Sequence, residues 1–278
     1  MRVIFILFLL LVTPAYASVK TLGTVTAGPG IEPSKTKMLL TVGDSITAGV
    51  GGDGDGDAGN DWGYRQKLQD ILGIGTYRFV GSVNRPSSDA TYDVANWGNS
   101  GQIIAWMVSH TGPVDGIKYE LNRSFTNSTI DSVVLIHAAT NDIILQSIDD
   151  VNKKTNAQLI ASMNQLIDAV LDFNPNAKIY VALIVPLRQS DQATWWQPFH
   201  DDLLAAMTTR RATNPNVHTV DMYYAFLYDY TGDCAGDWYN NCLNVFSGAH
   251  PSATGYLVMA KMWARCMNDN TAIGCDGH

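Results

Sequence analysis

The chain has 278 residues, of which 46% are hydrophobic and 16% are charged, and 26 acidic side chains outnumber 18 basic ones. The formal net charge of −8 argues against nucleic acid or an anionic membrane surface as a partner, because both are themselves negatively charged. It is compatible with a neutral substrate. The length fits one large α/β domain and is sufficient to bury a substantial core.

Residues 1–17, MRVIFILFLLLVTPAYA, are organised like a secretory signal peptide. One basic residue precedes an apolar run over 3–12, and Pro14 and the small-residue pattern AYA (15–17) follow it. The apolar run is well short of the ~20 residues that span a bilayer, so a retained membrane anchor is not expected. We predict cleavage near Ala17 and a secreted or periplasmic protein.

After an arm over 18–37, apolar runs alternate with amphipathic segments throughout a single domain predicted for 38–278. The predicted strands are MLLTVG (38–43), YRFVG (77–81), DSVVLIHA (131–138), KIYVALIVP (178–186) and VHTVDM (217–222). The predicted helices are 65–72, 156–173, 194–211 and 253–267. This alternation predicts βαβ units and a parallel sheet covered on both faces, with ligands at the carboxyl ends of the strands.

The chain has four cysteines, all in its last quarter: Cys234, Cys242, Cys266 and Cys275. An even number in an exported chain favours disulfides, and the spacing suggests the local pairs Cys234–Cys242 and Cys266–Cys275. The sequence alone leaves three pairings open. A zinc site is not expected, because the sequence has no paired CxxC spacing and no HExxH helix.

A serine and a histidine stand where a nucleophile and its base would be expected. Ser45 lies in GDSITAG (43–49), directly after the first predicted strand, where a tight strand-to-helix turn would expose its hydroxyl. The alternative role for such a serine is to cap the helix. His250, in VFSGAHPSATGY (245–256), precedes the last predicted helix and is the candidate general base.

Two further segments contain candidate hydrogen-bond donors for a negatively charged oxygen. Gly101, in NWGNSGQ (96–102), has no side chain to obstruct its backbone N–H. Asn141, in ATNDI (139–143), follows the third predicted strand, where a fixed side-chain amide suits a developing oxyanion. Taken separately, both residues are more often found in turns.

The order and strand positions of these four segments resemble the SGNH, or GDSL-type, hydrolase family over residues 38–267. FVGSVN (79–84), LIHAATNDI, NAKIYVA, VDMY and HPSATGY look more narrowly like the acetyl xylan esterase branch, which removes acetyl groups from polysaccharides. The resemblance implies a flavodoxin-like three-layer α/β/α sandwich with a five-stranded parallel sheet.

The resemblance also implies a secreted serine esterase that hydrolyses small acyl esters, expected to be O-acetyl esters of carbohydrate, without metal or organic cofactor. Ser45 would be the nucleophile and His250 its base. The amides of Ser45 and Gly101 and the side chain of Asn141 would form the oxyanion hole. The alternatives are a lipid-directed esterase or lysophospholipase of the same family, or a catalytically weakened member that binds carbohydrate.

Two residues depart from the family motifs. Ala139 replaces the glycine of GxND, a small-for-small change that could crowd the strand end and is expected to be tolerated. Ser247 replaces the aspartate of DxxHP, which orients the histidine and stabilises its charge. Candidates for orienting His250 instead are Ser247 itself, Asn244, Asp237 or a main-chain carbonyl. We expect an active Ser–His dyad.

The remaining motifs have weaker functional interpretations. GVGGDGDGDAGNDWGYR (49–65) satisfies GxGxxG, but its aspartates would repel a pyrophosphate. The acidic segment 53–61 lacks the glycine and glutamate spacing of an EF-hand, which favours a solvated loop over a calcium site. Trp97 and Trp62 are candidates for stacking on sugar rings, although large aromatics are more often core residues. His137 is expected to be a structural histidine within its strand.

Overall fold

The structure is a computed structural model and describes residues 37–51, 62–84, 91–109, 116–125, 131–148, 153–186, 196–243 and 249–277. These residues belong to one compact unit, Glu32–His278. The predicted signal peptide, the arm up to residue 36, the acidic segment 53–61, and Asn244 and Ser247 lie outside the described residues.

A mostly parallel sheet forms the centre of the fold. In the described residues its strands are β1 Lys37–Gly43, β2 Arg78–Val80, β3 Val83–Asn84, β4 Ala95–Gly98, β5 Asp131–His137, β6 Lys178–Leu183 and β7 Val217–Asp221. Strand β1 pairs in parallel with β5 on one side, and β5, β6 and β7 follow in order. On its other side β1 pairs first with β2 and then with β4, both in parallel. Because β2 and β4 share one position, the sheet has the five parallel positions predicted, with antiparallel β3 at its edge.

Helices cover both faces of this sheet. They are α1 Ser45–Ala48, α2 Tyr64–Leu72, α3 Ile104–Ser109, α4 Ile117–Ser124, α5 Thr140–Ile148, α6 Asn156–Phe173, α7 Trp196–Thr213, α8 Met222–Leu227, α9 Trp238–Asn241 and α10 Ala253–Asn268. Successive residues of a strand point to opposite faces, so Leu40 and Val42 pack with α3, α4, α6 and α7. Leu39 packs in the second core, with α1, α2, α8 and α10. This is the predicted three-layer α/β/α arrangement.

Helix α6 shows how local sequence determines an element of this fold. Thr155 and Gln158 form a capping box at its start, and the helix ends at Phe173, followed by the C-cap Asn174 and then Pro175. Between these ends, buried side chains recur at steps of three and four residues and form one apolar face toward the sheet: Leu159, Met163, Leu166, Ile167 and Val170. The observed bounds, Asn156–Phe173, are those that the periodicity predicts.

Both suggested disulfides form, Cys234–Cys242 and Cys266–Cys275. The second fixes the C-terminal segment, where the Asp276 carboxylate accepts a hydrogen bond from the Thr219 N–H (2.9 Å) and pairs with Arg211 (2.7 Å). Across the ranges that the structure describes, no helix is long and apolar enough to cross a membrane.

Candidate active site

The turn from β1 into α1 places Ser45 at the carboxyl edge of the sheet. Gly43, the last residue of the strand, lies very close to its neighbours in β5 and α1. A Cβ at this position would lie 2.1 Å from the carbonyl oxygen of His137 and 2.3 Å from the Thr47 hydroxyl. Only glycine lets the chain turn at this point without displacing the end of β5 or the start of α1. Ser45 follows as the first residue of α1 and is 8% exposed.

Asp44, rather than Ser45, caps this helix. Its Oδ1 accepts a hydrogen bond from the N–H of Ile46 (3.0 Å), so the Ser45 hydroxyl is not used for capping. Asp44 is fully buried, and this burial raises the pKa of its carboxyl group to about 7. Below that pH the Asp44 carboxyl is mainly uncharged, so the residue that precedes Ser45 carries little negative charge.

His250 reaches Ser45 from a distant part of the chain. The next residue, Pro251, pairs with Leu243 in an antiparallel bridge. The Nε2 atom of His250 lies 2.8 Å from the Oγ of Ser45, and its other ring nitrogen, Nδ1, is shielded from solvent. Burial lowers the pKa of His250 below its ordinary value, which favours the neutral imidazole that can accept a proton.

The chain directly after Gly101 is hydrogen-bonded to the start of α5. The side-chain amide of Asn141 donates to the carbonyl oxygen of Gln102 (3.0 Å). The carboxylate of the next residue, Asp142, accepts from the N–H of Ile104 (3.0 Å), and burial raises its pKa. Gly101 directly precedes these two anchored residues, in an exposed turn with a φ of 78°.

The register of the sheet brings these segments to one edge. Gly43 pairs with His137 of β5 and with Gly98 of β4, so the three strands end level with one another. The segments that follow these strands contain Ser45, Gly101 and Asn141. These three segments therefore lie at the carboxyl edge of the sheet, where the βαβ pattern predicts that ligands bind.

Ala139 has a backbone conformation that disfavours any residue with a Cβ. Its φ is 101°, in the left-handed region where glycine is preferred, and the side chain is buried. The glycine that the family has at this position is thus explained by backbone conformation. The sequence predicted a slightly crowded strand end, whereas the structure shows a strained backbone conformation at this residue.

We expect Ala139→Gly to stabilise the protein. A left-handed conformation costs an ordinary residue roughly 1–2 kcal/mol, and the greater freedom of glycine in the unfolded chain offsets roughly 0.5–1 kcal/mol of the gain. The net increase in the free energy of unfolding should be about 0.5–1 kcal/mol, measured by urea denaturation. Ala138→Gly is the matched control, because Ala138 is equally buried without a positive φ and should lose stability. A less stable Ala139→Gly variant would contradict the strain argument.

The two tryptophan candidates differ in exposure. Trp97 is 5% exposed and packs in the core, where it stacks on Trp106 with ring centroids 6.4 Å apart. Trp62 is half-buried and makes an edge contact with Tyr92 at 5.8 Å. Only Trp62 therefore keeps a substantial surface for contact with a ligand.

Two other polar candidates have structural partners. Asp237 caps α9, with its carboxylate accepting from the backbone N–H (3.1 Å) and the side-chain amide (2.8 Å) of Asn240. His137 is fully buried, its Nε2 accepts from the N–H of Val185 (3.4 Å), and burial lowers its pKa to about 4. His137 is therefore a neutral structural residue, as expected from its place in the strand.

An α/β protein with a serine hydroxyl hydrogen-bonded to an imidazole at the carboxyl edge of its sheet has the arrangement of a serine hydrolase. The imidazole can remove the hydroxyl proton as the oxygen attacks an electrophilic carbon.

The chain belongs to the GDSL-like lipase/acylhydrolase family, whose sequence profile matches residues 41–258. The matched segment contains Ser45, Gly101, Asn141 and His250. Membership of this family makes the protein a carboxylic ester hydrolase. No curated protein matches the chain in sequence.

Solved structures with the same fold include several esterases. A family 3 carbohydrate esterase of Clostridium thermocellum superposes with a TM-score of 0.61 at 23% identity, covering 86% of this chain and 99% of that one. A carbohydrate esterase family 3 protein of Talaromyces cellulolyticus gives 0.60 at 19% identity, covering 84% and 96%. Est24, a carbohydrate acetylesterase of Sinorhizobium meliloti, gives 0.53 at 17% identity, covering 84% and 98%. At these identities the likeness establishes the fold.

Proposed function

We propose that this protein is an exported serine esterase that removes small acyl groups, chiefly O-acetyl groups, from carbohydrate. The observation that carries the proposal is the 2.8 Å contact between Ser45 Oγ and His250 Nε2. The carbohydrate esterases that share its fold support the substrate class, and the two disulfides and the apolar N-terminal segment support export through cleavage near Ala17.

In the proposed reaction, Ser45 Oγ attacks the ester carbonyl while His250 Nε2 takes its proton. The tetrahedral intermediate collapses as the C–O bond to the sugar breaks and His250 returns the proton to the leaving alcohol. An acetyl group then remains on Ser45. Water, deprotonated by His250, attacks this acyl-enzyme, and acetate leaves as Ser45 regains its proton. Each half of the cycle returns the imidazole to its neutral form.

The negative charge of the tetrahedral intermediate would be held by three donors. These donors are the backbone N–H groups of Ser45 and Gly101 and the side-chain amide of Asn141. They belong to the segments after β1, β4 and β5, three strands that end at the same level of the sheet. The hydrogen bond from Asn141 to Gln102 O occupies one of the two amide protons and fixes the group's orientation. A donor that is already oriented needs no rearrangement as charge develops.

His250 is proposed to act in a dyad, without the carboxylate that the family motif supplies. Ser247, which carries no charge, stands at the motif position of that carboxylate. Ser247, Asn244 or a main-chain carbonyl would serve to accept the Nδ1 proton and so fix the tautomer. Asp237 is the least suited of the candidates because it is exposed and caps α9.

We expect Asn141→Ala to lower kcat by about 10²–10³-fold, the usual effect of removing one oxyanion donor. The change should leave KM close to that of the wild type, because the donor acts mainly in the transition state. Steady-state kinetics with 4-nitrophenyl acetate measure both constants. Asn122→Ala is the control, since the Asn122 amide also donates to a carbonyl oxygen, that of Lys118, but on an exposed helix surface. An Asn141→Ala enzyme with wild-type kcat would remove this residue from the mechanism.

Acyl chain length tests the proposed substrate class. Purified protein should hydrolyse 4-nitrophenyl acetate with a higher kcat/KM than the octanoate, because an acetyl site is small and closed. It should also release acetate from acetylated xylan. Greater activity on the octanoate would refute the acetyl assignment and favour a lipid-directed esterase, whereas no Ser45-dependent hydrolysis of any ester would refute the proposed function.

A further inference from the structure

The two residues after His250 contact the end of a disulfide-bonded segment. Pro251 forms a bridge with Leu243, and the N–H of Ser252 donates to the carbonyl oxygen of Cys242 (2.9 Å). Cys242 is bonded to Cys234, and we call residues 234–242 the cystine loop. The backbone that follows His250 is therefore held against the C-terminal end of the cystine loop.

The contact between the cystine loop and the start of α10 is tight. A Cβ at Gly255 would lie 2.1 Å from the carbonyl oxygen of Cys242, so this first turn of the helix lies directly against it. The Ser252 hydroxyl donates to the carbonyl oxygen of Asn241 (2.8 Å) and accepts from the N–H of Gly255 (3.2 Å). A displacement of Cys242 would therefore be passed to Ser252, two residues from His250.

The disulfide anchors an otherwise exposed segment to the core. Both sulfur-bearing residues are buried among core side chains, whereas much of the segment between them, including Asp237, is exposed. Hydrogen bonds add to the anchor: Cys234 donates through its N–H to Asp229 (2.9 Å) and accepts from the side-chain amide of Asn241 (2.8 Å). The disulfide therefore holds the two buried ends of the cystine loop together covalently.

We infer that the Cys234–Cys242 disulfide is a positioning element for His250, fixing the backbone from which the imidazole reaches Ser45. The inference rests on the proposed function, because it gives His250 the role of base. A displacement of about 1 Å in a reacting group can cost on the order of 10² in rate.

The second disulfide provides a matched control. Cys266 and Cys275 are also buried, and the two bridges close loops of similar size, with sequence separations of 8 and 9 residues. Cys275 pairs with Val220 of β7 and anchors the C-terminal segment. Loss of either bridge should therefore destabilise the fold to a similar extent, and only one loss should affect His250.

The experiment compares Cys234→Ala/Cys242→Ala with Cys266→Ala/Cys275→Ala by kcat, KM and Tm, using 4-nitrophenyl acetate well below either Tm. We expect the first variant to lose kcat by roughly 10–10²-fold with KM within about twofold, and the second to keep wild-type kcat despite a comparable fall in Tm. Wild-type kcat in the first variant, or an equal loss in both, would overturn the inference.

Ser252 gives a second test if the first variant does not fold. Ser252→Ala removes the hydroxyl that joins the two segments and should lower kcat several-fold, whereas Ser252→Thr keeps a hydroxyl and should retain it. Equal kcat in both would overturn the inference.

Failure of the proposed function is recognised separately, as absence of Ser45-dependent hydrolysis in the wild type. In that case the pKa of His250, measured by NMR titration, still tests the inference. Removal of the Cys234–Cys242 disulfide should raise this pKa toward the ordinary value, and removal of the Cys266–Cys275 disulfide should leave it unchanged. An unchanged pKa in both variants would overturn the inference.

Discussion

Replacing Ser45 with alanine should lower kcat for acetyl esters by about 10⁴–10⁶-fold, to the level left by binding and oxyanion stabilisation alone. The reason is chemical: without Oγ no acyl-enzyme can form, and His250 has no hydroxyl to deprotonate at 2.8 Å. The fold should be retained, because Asp44 rather than Ser45 caps α1. Burst and steady-state kinetics with 4-nitrophenyl acetate measure the loss, and circular dichroism monitors the fold.

Ser109→Ala is the matched control for this substitution. Ser109 is exposed at the end of α3, and its hydroxyl donates to the carbonyl oxygen of Ala105 (2.5 Å), away from the proposed chemistry. Its removal should leave kcat unchanged. If Ser45→Ala hydrolyses acetyl esters as fast as the wild type, Ser45 is not the nucleophile.

His250→Gln should lower kcat by about 10²–10⁴-fold, the contribution expected of a positioned general base. Since only the neutral imidazole can accept the Ser45 proton, kcat/KM of the wild type should rise with pH through the pKa of His250. Burial lowers this pKa, so the midpoint should lie below the ordinary value of about 6.5. A pH–rate profile of the wild type measures it.

Two variants give this prediction its controls. His200→Gln alters a buried histidine that contacts Asp201 (2.8 Å) and Asp221 (3.3 Å), and should lower Tm with little change in kcat. Ser247→Asp restores the motif carboxylate, which should raise the pKa of His250, move the midpoint to higher pH and increase kcat. A wild-type midpoint well above 6.5 would indicate that a carboxylate already faces the imidazole.

The parallel sheet and its longer helices were predictable because their patterns are strong and local. Each of the five predicted strands is present to within a few residues, and α6 has the predicted bounds. Strand β4 was not predicted, because its four residues include the buried polar Asn96. The buried Asn96 side chain hydrogen-bonds to the backbone: it accepts from the N–H of Gly98 (2.8 Å) and donates to the carbonyl oxygen of Val83 (3.0 Å).

The short helices escaped prediction for a similar reason. Helix α5 begins with the polar residues Thr140, Asn141 and Asp142, which read as a turn after β5. Helix α8, Met222–Leu227, is apolar and aromatic without clear helical periodicity, so its sequence does not distinguish it from a continuation of β7. In both cases packing against the sheet decides the conformation.

At the site, the order of motifs predicted which segments meet, but not how they are held. Asp142 anchors Ile104 across 38 residues of sequence, and no local pattern reveals that contact. The left-handed conformation of Ala139 likewise depends on the path of the chain from β5 into α5. The pairing of Ser45 with His250 spans 205 residues and followed from family resemblance rather than from periodicity.

The most direct test of the central claim is to find which residue becomes covalently modified. The protein should be treated with a fluorophosphonate, which reacts with activated serine hydroxyls, and then digested and analysed by mass spectrometry. A single adduct on the peptide that contains Ser45, formed much more slowly in His250→Gln, is the predicted result. An adduct on another residue, or labelling that does not depend on His250, would contradict the account.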